Sequence, residues 1–341
     1  MEPGKLSRIC APMVNQSDQP FRELVHRYGA TLAYTQMLKP ELLLDDQDYL
    51  ELCLRDLTAK PLSADQPVVV QLCGNDPETL VKGGRKLQQY CHAIDLNLGC
   101  PQQAALDNHF GAYLLGQRDW PLVEEIVAAM SKSFVVPTSA KLRLCQPAFK
   151  TLELAERLEA CGVSWITLHA RTVSAQRRRH GPADLSQVKR LKDNLGVPII
   201  SNGNVRTWDD LEANLKTTGA DGLMVGESLL GNPCLFANYT PDPVAISLEY
   251  LSICRMYPDV ATVSTMATHV RHFVDSQCHR RPWYTKFRTT LANCRSLEEI
   301  EVLLQNKVQR WRGLRPEDDE EQPPERVAEA VEEIGDIFAQ P

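Results

Sequence analysis

The residue of this chain best placed for chemistry is a cysteine held between a glycine and a proline at the end of an apolar run, Asp95-Leu96-Asn97-Leu98-Gly99-Cys100-Pro101. Gly99 and Pro101 restrict the backbone on both sides, so the Cys100 thiol has few directions in which to point. An isolated cysteine is more often a buried structural residue than a reactive one. The company changes that reading. Asn97 carries an amide that can pair with a base-like edge, and other apolar runs end in Pro12-Met13-Val14, Gln71, Lys141 and Arg143, His169 and Arg171, Asn202-Gly203-Asn204 and Gly226-Glu227. A parallel α/β barrel gathers functional groups at these C-terminal strand ends.

Asn-Gly alone is usually just a turn. In step with a second glycine one βα unit later, the loops at Gly203 and Gly226 can offer backbone N–H groups to a phosphate. Lys141 is either a surface lysine or, at the inward end of a central strand, a cation in need of a partner. Together these residues suggest a phosphorylated planar cofactor across the barrel mouth, with Lys141 and His169 at its electron-rich edge, and flavin mononucleotide (FMN) fits that description. A lysine ammonium stabilises the anionic reduced ring, and the Gln71 amide can pair with the edge of its pyrimidine portion.

Eight short apolar runs, each followed by a helical pattern, must position these groups: Arg8 to Met13, Thr31 to Thr35, Val68 to Leu72, Ala93 to Asn97, Thr138 to Arg143, Trp165 to His169, Pro198 to Ser201 and Gly222 to Gly226. That repeat predicts an α/β fold, a TIM (β/α)8 barrel. Helices are expected over 121–132, 149–160 and 209–217, with Gly162 and Gly219 as C-terminal caps. Tyr239 to Pro243 reads as a linker. Helices over 245–256, 263–276, 282–293 and 297–312, the last opened by a Ser296/Glu299 capping box, predict a small C-terminal helical bundle. The expected division is therefore 1–239 barrel, 240–315 helical domain and 316–341 acidic, disordered tail.

The eleven cysteines are scattered without a C-x-x-C pair, and no apolar run approaches the ~20 residues of a membrane span. An intracellular protein, cytoplasmic or nuclear, is expected, with no membrane association and no signal peptide ahead of Ile9-Cys10-Ala11. A monomer is expected. His269, His272, Cys278 and His279 lack ligand spacing on both sides and read as helix-surface residues rather than a metal site. The net charge of −7 hides an asymmetry: residues 316–341 carry −9, leaving +2 on the remainder, and residues 240–315 hold eleven Lys or Arg against seven Asp or Glu. That segment is either an ordinary solvated surface or one that meets phosphate.

The runs Ala11-Pro12-Met13, Asp95 to Pro101, Lys141-Leu142-Arg143, His169-Ala170-Arg171-Thr172, Gly181-Pro182-Ala183-Asp184 and Asn202-Gly203-Asn204 resemble, in order, those of the tRNA-dihydrouridine synthases. Tyr34-Thr35-x-Met37-Leu38, Gln102 and Gly226-Glu227 resemble most the eukaryotic branch acting on uridines 16 and 17. The resemblance implies that Pro12, Met13, Val14, Gln71, Lys141, His169, Asn202, Gly203, Asn204, Gly226 and Glu227 hold FMN, which NADPH reduces. It implies that Cys100 protonates C5 of a uracil whose C6 receives the hydride, with Asn97 and Arg143 on the uracil carbonyls and Arg171 also at the substrate. Arg177, Arg178 and Arg179, with Arg280, Arg281, Lys286 and Arg288, would meet tRNA phosphates. Two other readings remain open at this point, an FMN reductase of a free pyrimidine and a non-catalytic tRNA-binding module.

Overall fold

The computed structural model describes residues 3–173 and 181–314. Eight parallel strands close in sequence order: β1 (Arg8–Cys10), β2 (Leu32–Leu38), β3 (Val68–Leu72), β4 (Ala93–Leu98), β5 (Thr138–Arg143), β6 (Ile166–His169), β7 (Ile199–Asn202) and β8 (Gly222–Val225). The expected TIM barrel is present, and the ends of β1 and β2 depart furthest from expectation. β1 stops at Cys10 rather than Met13, because Pro12 has no N–H to continue the ladder after Ala11 N donates to Val225 O at 2.9 Å. β2 runs on to Leu38, past an irregularity between Tyr34 and Met37 where the Thr35 hydroxyl accepts the Gln71 N–H at 3.2 Å.

Strand alternation sorts the residues into two environments. Outward residues such as Val70, Leu72, Ile94, Leu96, Leu142 and Leu168 join the core between sheet and helices. Inward residues begin apolar: Ile9, Leu32, Val69, Ala93, Ile200 and Met224 surround Tyr34 and Trp165, whose indole N–H donates to the Tyr34 hydroxyl at 3.1 Å. This is the barrel floor. Two positions further along the same inward rows come Gln71, Asp95, Ser139 or Lys141, Thr167 and Asn202, paired across the sheet as Gln71 to Asp95, Asp95 to Ser139 and Asn97 to Lys141. The polar layer therefore sits directly above a sealed apolar one.

Gly162 (φ 96°) and Gly219 (φ 64°) end their helices in the left-handed conformation, as expected. Beyond the barrel, Asp242 caps the helix Pro243–Met256 by accepting the N–H groups of Val244 and Ala245 at 2.9 and 3.0 Å. Helices Val263–Cys278, Tyr284–Ala292 and Leu297–Val302 follow. The single helix expected over 297–312 widens into a π-helical stretch at Leu303–Val308 before a last turn at Gln309–Trp311. Ser296 accepts the Glu299 N–H at 3.2 Å, but the Glu299 carboxylate takes the N–H of Arg295 at 2.8 Å, one residue outside the expected box.

These helices share one apolar cluster with the barrel: Tyr250, Val270 and Phe273 pack with Phe21, Leu24 and Val25 of the helix Gln19–Arg27. Asp18 sits at the joint. Its Oδ1 caps that helix through Phe21 N at 2.8 Å, while Oδ2 meets His269 Nε2 at 3.1 Å and the Tyr250 hydroxyl at 3.3 Å. His269 is fully buried and stacks on Phe21 at 4.6 Å, which corrects the expectation of a helix-surface residue. The face of its helix that carries it is turned to the barrel. Among the described residues no helix is long and apolar enough to cross a membrane, and no group of three or more His, Cys, Asp or Glu could hold a metal ion.

Closure of the barrel depends on Gly222, because a Cβ there would lie 1.7 Å from the Leu6 carbonyl oxygen. Gly222→Ala is expected to lose about 3 kcal/mol, since backbone rather than a flexible side chain must yield. Urea unfolding at an unchanged midpoint would refute this.

Candidate active site

The strand ends of β5 to β8, with the loop after β1, enclose a cavity of about 610 Å³ lined by Pro12, Met13, Lys141, His169, Arg171, Asn202, Gly203, Asn204, Gly226 and Glu227. That volume lies within the range of small-molecule and cofactor sites. Its wall is built by close backbone approach. Gly203 has φ 127°, and a Cβ there would come within 2.8 Å of Ala183 Cβ. Asn204, itself at φ 57°, accepts the Ala183 N–H at 2.7 Å and returns a hydrogen bond to the Ala183 carbonyl at 2.8 Å. Asn202 Nδ2 donates to the Met224 carbonyl at 2.7 Å and ties β7 to β8. A side chain on Gly226 would press on Ala11 Cβ at 3.3 Å.

Charge inside this mouth is displaced from its ordinary behaviour by burial. Burial and the Arg143 guanidinium bring the Lys141 ammonium down to about 8, against the pull of Asp95 and Cys100. His169 falls to about 2, through burial and the charges of Lys141, Arg143 and Arg171. It is a neutral imidazole. Arg171 lies 3.0 Å from its Nε2, and since a guanidinium only donates, Nε2 accepts and Nδ1 carries the hydrogen. Burial raises the Asp95 carboxyl to about 6, while Ser139, Gln71 and Lys141 pull it back.

The Cys100 loop is cinched from beneath. Asn97 Oδ1 accepts the N–H groups of Gly99 and Cys100 at 3.0 and 2.9 Å, and Arg143 Nε donates to the Gly99 carbonyl at 2.8 Å. Gly111, at φ 64°, passes so close that a Cβ there would lie 2.9 Å from the Cys100 carbonyl oxygen and 3.1 Å from its Cβ. The thiol is half-buried. Burial raises its pKa, opposed by the Gln102 N–H, Arg143 and Lys141, so the group stays protonated at neutral pH. A protonated thiol near two cations can release its proton to a carbon that becomes electron-rich.

Residues 9–313 match the family model described as dihydrouridine synthase. The chain belongs to the dihydrouridine synthase family. A mouse tRNA-dihydrouridine(16/17) synthase-like protein is 33% identical over 92% of this chain and 66% of its own length. The yeast (Saccharomyces cerevisiae) tRNA-dihydrouridine(16/17) synthase is 34% identical over 85% of this chain and 69% of its own length. A human tRNA-dihydrouridine(20a/20b) synthase-like protein is 34% identical over 73% and 77%. The chain thus spans about two thirds of the length of the mouse relative. A solved 2-naphthoyl-CoA reductase complex shares the fold, with a TM-score of 0.50 at 11% identity over 66% of this chain and 46% of that one.

Among the residues expected at a synthase cofactor site, Val14 does not line the cavity and is 41% exposed. Gln71 lies in the layer below, where its Nε2 donates to Asp95 at 2.8 Å and its Oε1 accepts from Asn97 at 2.8 Å. Arg171, expected beside the substrate, lines the cavity between His169 and Asn204. Arg177, Arg178 and Arg179 lie outside the described residues. Arg206 and Ser228 line the cavity and were not expected there, and Ser228 Oγ donates to the Val205 carbonyl at 2.6 Å. Asp95 and Ser139 were also missed. Their inward parity, two residues before Asn97 and Lys141, was the available signal.

Lysine side-chain NMR on this protein is expected to show one resonance, absent in Lys141→Met, titrating near 8. The Lys141 charge is present below that pH and lost above it, leaving Arg171 and Arg206, so affinity for an anionic ligand should weaken as pH rises through 8. A Lys141 resonance at the ordinary lysine value would count against the buried-cation account.

Proposed function

We propose that this synthase reduces the C5–C6 bond of a uridine in tRNA, with FMN in the cavity and NADPH as the hydride source. The observation that carries the reading is the half-buried, protonated Cys100 thiol within electrostatic reach of Lys141 and Arg143, beside a cavity with the room and polar lining for a nucleotide cofactor. FMN, when bound, supplies the hydride that NADPH donates to it and that C6 of the uracil receives. Lys141 and neutral His169, with Pro12, Met13, Asn202, Gly203, Asn204, Gly226 and Glu227, would hold it, Gln71 supporting from the layer below. Val14, exposed and outside the cavity lining, adds no contact there. Arg171 and Arg206 add positive charge to the same cavity.

Cys100 keeps its proton at Sγ and delivers it to C5 of the uracil; solvent then reprotonates the thiolate, so one NADPH and one proton are consumed per uridine. Arg143, steadied by the Gly99 and Thr172 carbonyls at 2.8 and 3.1 Å, opposes the negative charge that develops on a uracil carbonyl. Asn97 would take the other carbonyl with its second Nδ2 hydrogen, the one facing the weak acceptor Met37 Sδ at 3.7 Å, since the first goes to Gln71 Oε1 at 2.8 Å.

A uridine in folded RNA must leave its stack, at a cost of a few kcal/mol. Exposed Arg280, Arg281, Lys286 and Arg288 on the helical segment are proposed to offset that cost on the phosphates, together with Arg177 to Arg179. Relatives named for uridines 16 and 17 match over 92% and 85% of the chain against 73% for the 20a/20b relative, which supports the former pair as the target.

The purified protein is expected to be yellow, and its anaerobically reduced form to be oxidised quickly by unmodified tRNA and slowly by free uracil, with dihydrouridine mapped to the D-loop. Cys100→Ala should keep the flavin and lose uridine reduction by about 10²-fold or more. Oxidation by uracil alone would point to a free-pyrimidine reductase, a colourless protein to a binding module, and an undiminished Cys100→Ala would remove the thiol from the mechanism.

A further inference from the structure

Beneath the cysteine loop runs a chain of hydrogen bonds that starts at a buried carboxylate. Ser139 Oγ donates to Asp95 Oδ1 at 2.6 Å and Gln71 Nε2 donates to Asp95 Oδ2 at 2.8 Å. Gln71 Oε1 accepts from Asn97 Nδ2 at 2.8 Å, and Asn97 Oδ1 accepts from the backbone of Gly99 and Cys100. The chain crosses three strands, and its side chains are almost wholly buried, Asp95 and Ser139 at 0%, Gln71 at 1% and Asn97 at 8% exposure. Water has little access to substitute for any link.

A primary amide can point either way unless its neighbours decide. An ionised carboxylate only accepts, so Asp95 requires the NH2 of Gln71. Gln71 must then turn its oxygen to Asn97, and Asn97 must turn its own oxygen to the two backbone N–H groups of the loop. We propose that Asp95 is a positioning residue for the uridine reduction: acting through the fixed sense of the Gln71 and Asn97 amides, it locks the Gly99–Cys100 backbone and so the place of the thiol. The proposal rests on the proposed function only for naming Cys100 as the group that must be placed. Gly111 closes the loop from the other side, so a loop released from below has nowhere to shift but outward.

The geometry separates direction from charge. In Asp95→Asn the new oxygen can still accept from Gln71 while the new NH2 donates to Ser139, whose hydroxyl rotates to accept. Asp95→Leu leaves the Gln71 NH2 with no partner and its sense undetermined. The experiment is site-resolved alkylation by iodoacetamide at pH 8, read by mass spectrometry at Cys100, with half-buried Cys161 and Cys294 as controls in the same molecule. It needs neither FMN nor RNA, so its outcome is independent of whether the synthase reading holds.

Asp95→Leu is expected to speed Cys100 alkylation about fivefold or more, with the controls unmoved, while Asp95→Asn stays near wild type. On FMN-loaded protein, Asp95→Leu should lower kcat for tRNA by about tenfold with KM little changed, and Asp95→Asn should restore it. Should Asp95→Leu fail to fold, Gln71→Met cuts the chain with Asp95 in place and is expected to loosen Cys100 equally. Unchanged Cys100 reactivity in Asp95→Leu or Gln71→Met would overturn the proposal. So would an Asp95→Asn protein as reactive as Asp95→Leu, since the negative charge rather than the order of the amides would then be what matters.

Discussion

Charge drawn out of water, wholly at Asp95 and Arg143 and in part at Lys141 and His169, is the constraint on which the site depends. Lys141, Arg143, Asp95 and His169 sit on inward positions of adjacent strands, above a floor of Tyr34 and Trp165 that admits no solvent from below. Removing such charges from water is expensive unless each finds a partner. The arrangement meets that cost in three ways. Asp95 partly balances Lys141, Arg143 rests on backbone carbonyls, and His169 gives up its proton altogether. The same burial keeps the Cys100 thiol protonated, so one physical cause prepares both the acid and the cationic wall beside it.

Much of this was legible in the sequence because strand alternation has a short, rigid period. The eight apolar runs locate the strands to within a few residues, and Asn97, Lys141 and His169 fall on inward positions as their polarity against apolar neighbours suggests. What alternation cannot convey is which polar groups are used up by each other. Gln71 looks available in a linear reading, yet both ends of its amide are engaged. Asp95 stands inside a motif that assigns it no task of its own, although a carboxylate facing into a barrel must find donors there, and here it takes one each from Ser139 and Gln71.

His269 shows a different limit. A lone histidine in a mixed helix resembles a surface residue until the partner across the fold is known, and here that partner is Asp18, more than two hundred positions away in the chain. Val14 illustrates the converse: it follows the barrel's first strand closely, but the chain has already turned into a loop after Pro12, and the side chain faces outward. Where sequence reasoning fell short, the missing information was tertiary partnership, not local propensity.

The joint at Asp18 has a further consequence. Because the barrel helix and the C-terminal helices are cut from one apolar cluster, with a buried hydrogen-bonded carboxylate at their seam, the distance from the barrel mouth to the exposed cations of the helical segment is set by packing and not by a hinge. The molecule behaves as a caliper with fixed jaws. A partner that engages both jaws would be selected by its own span and curvature.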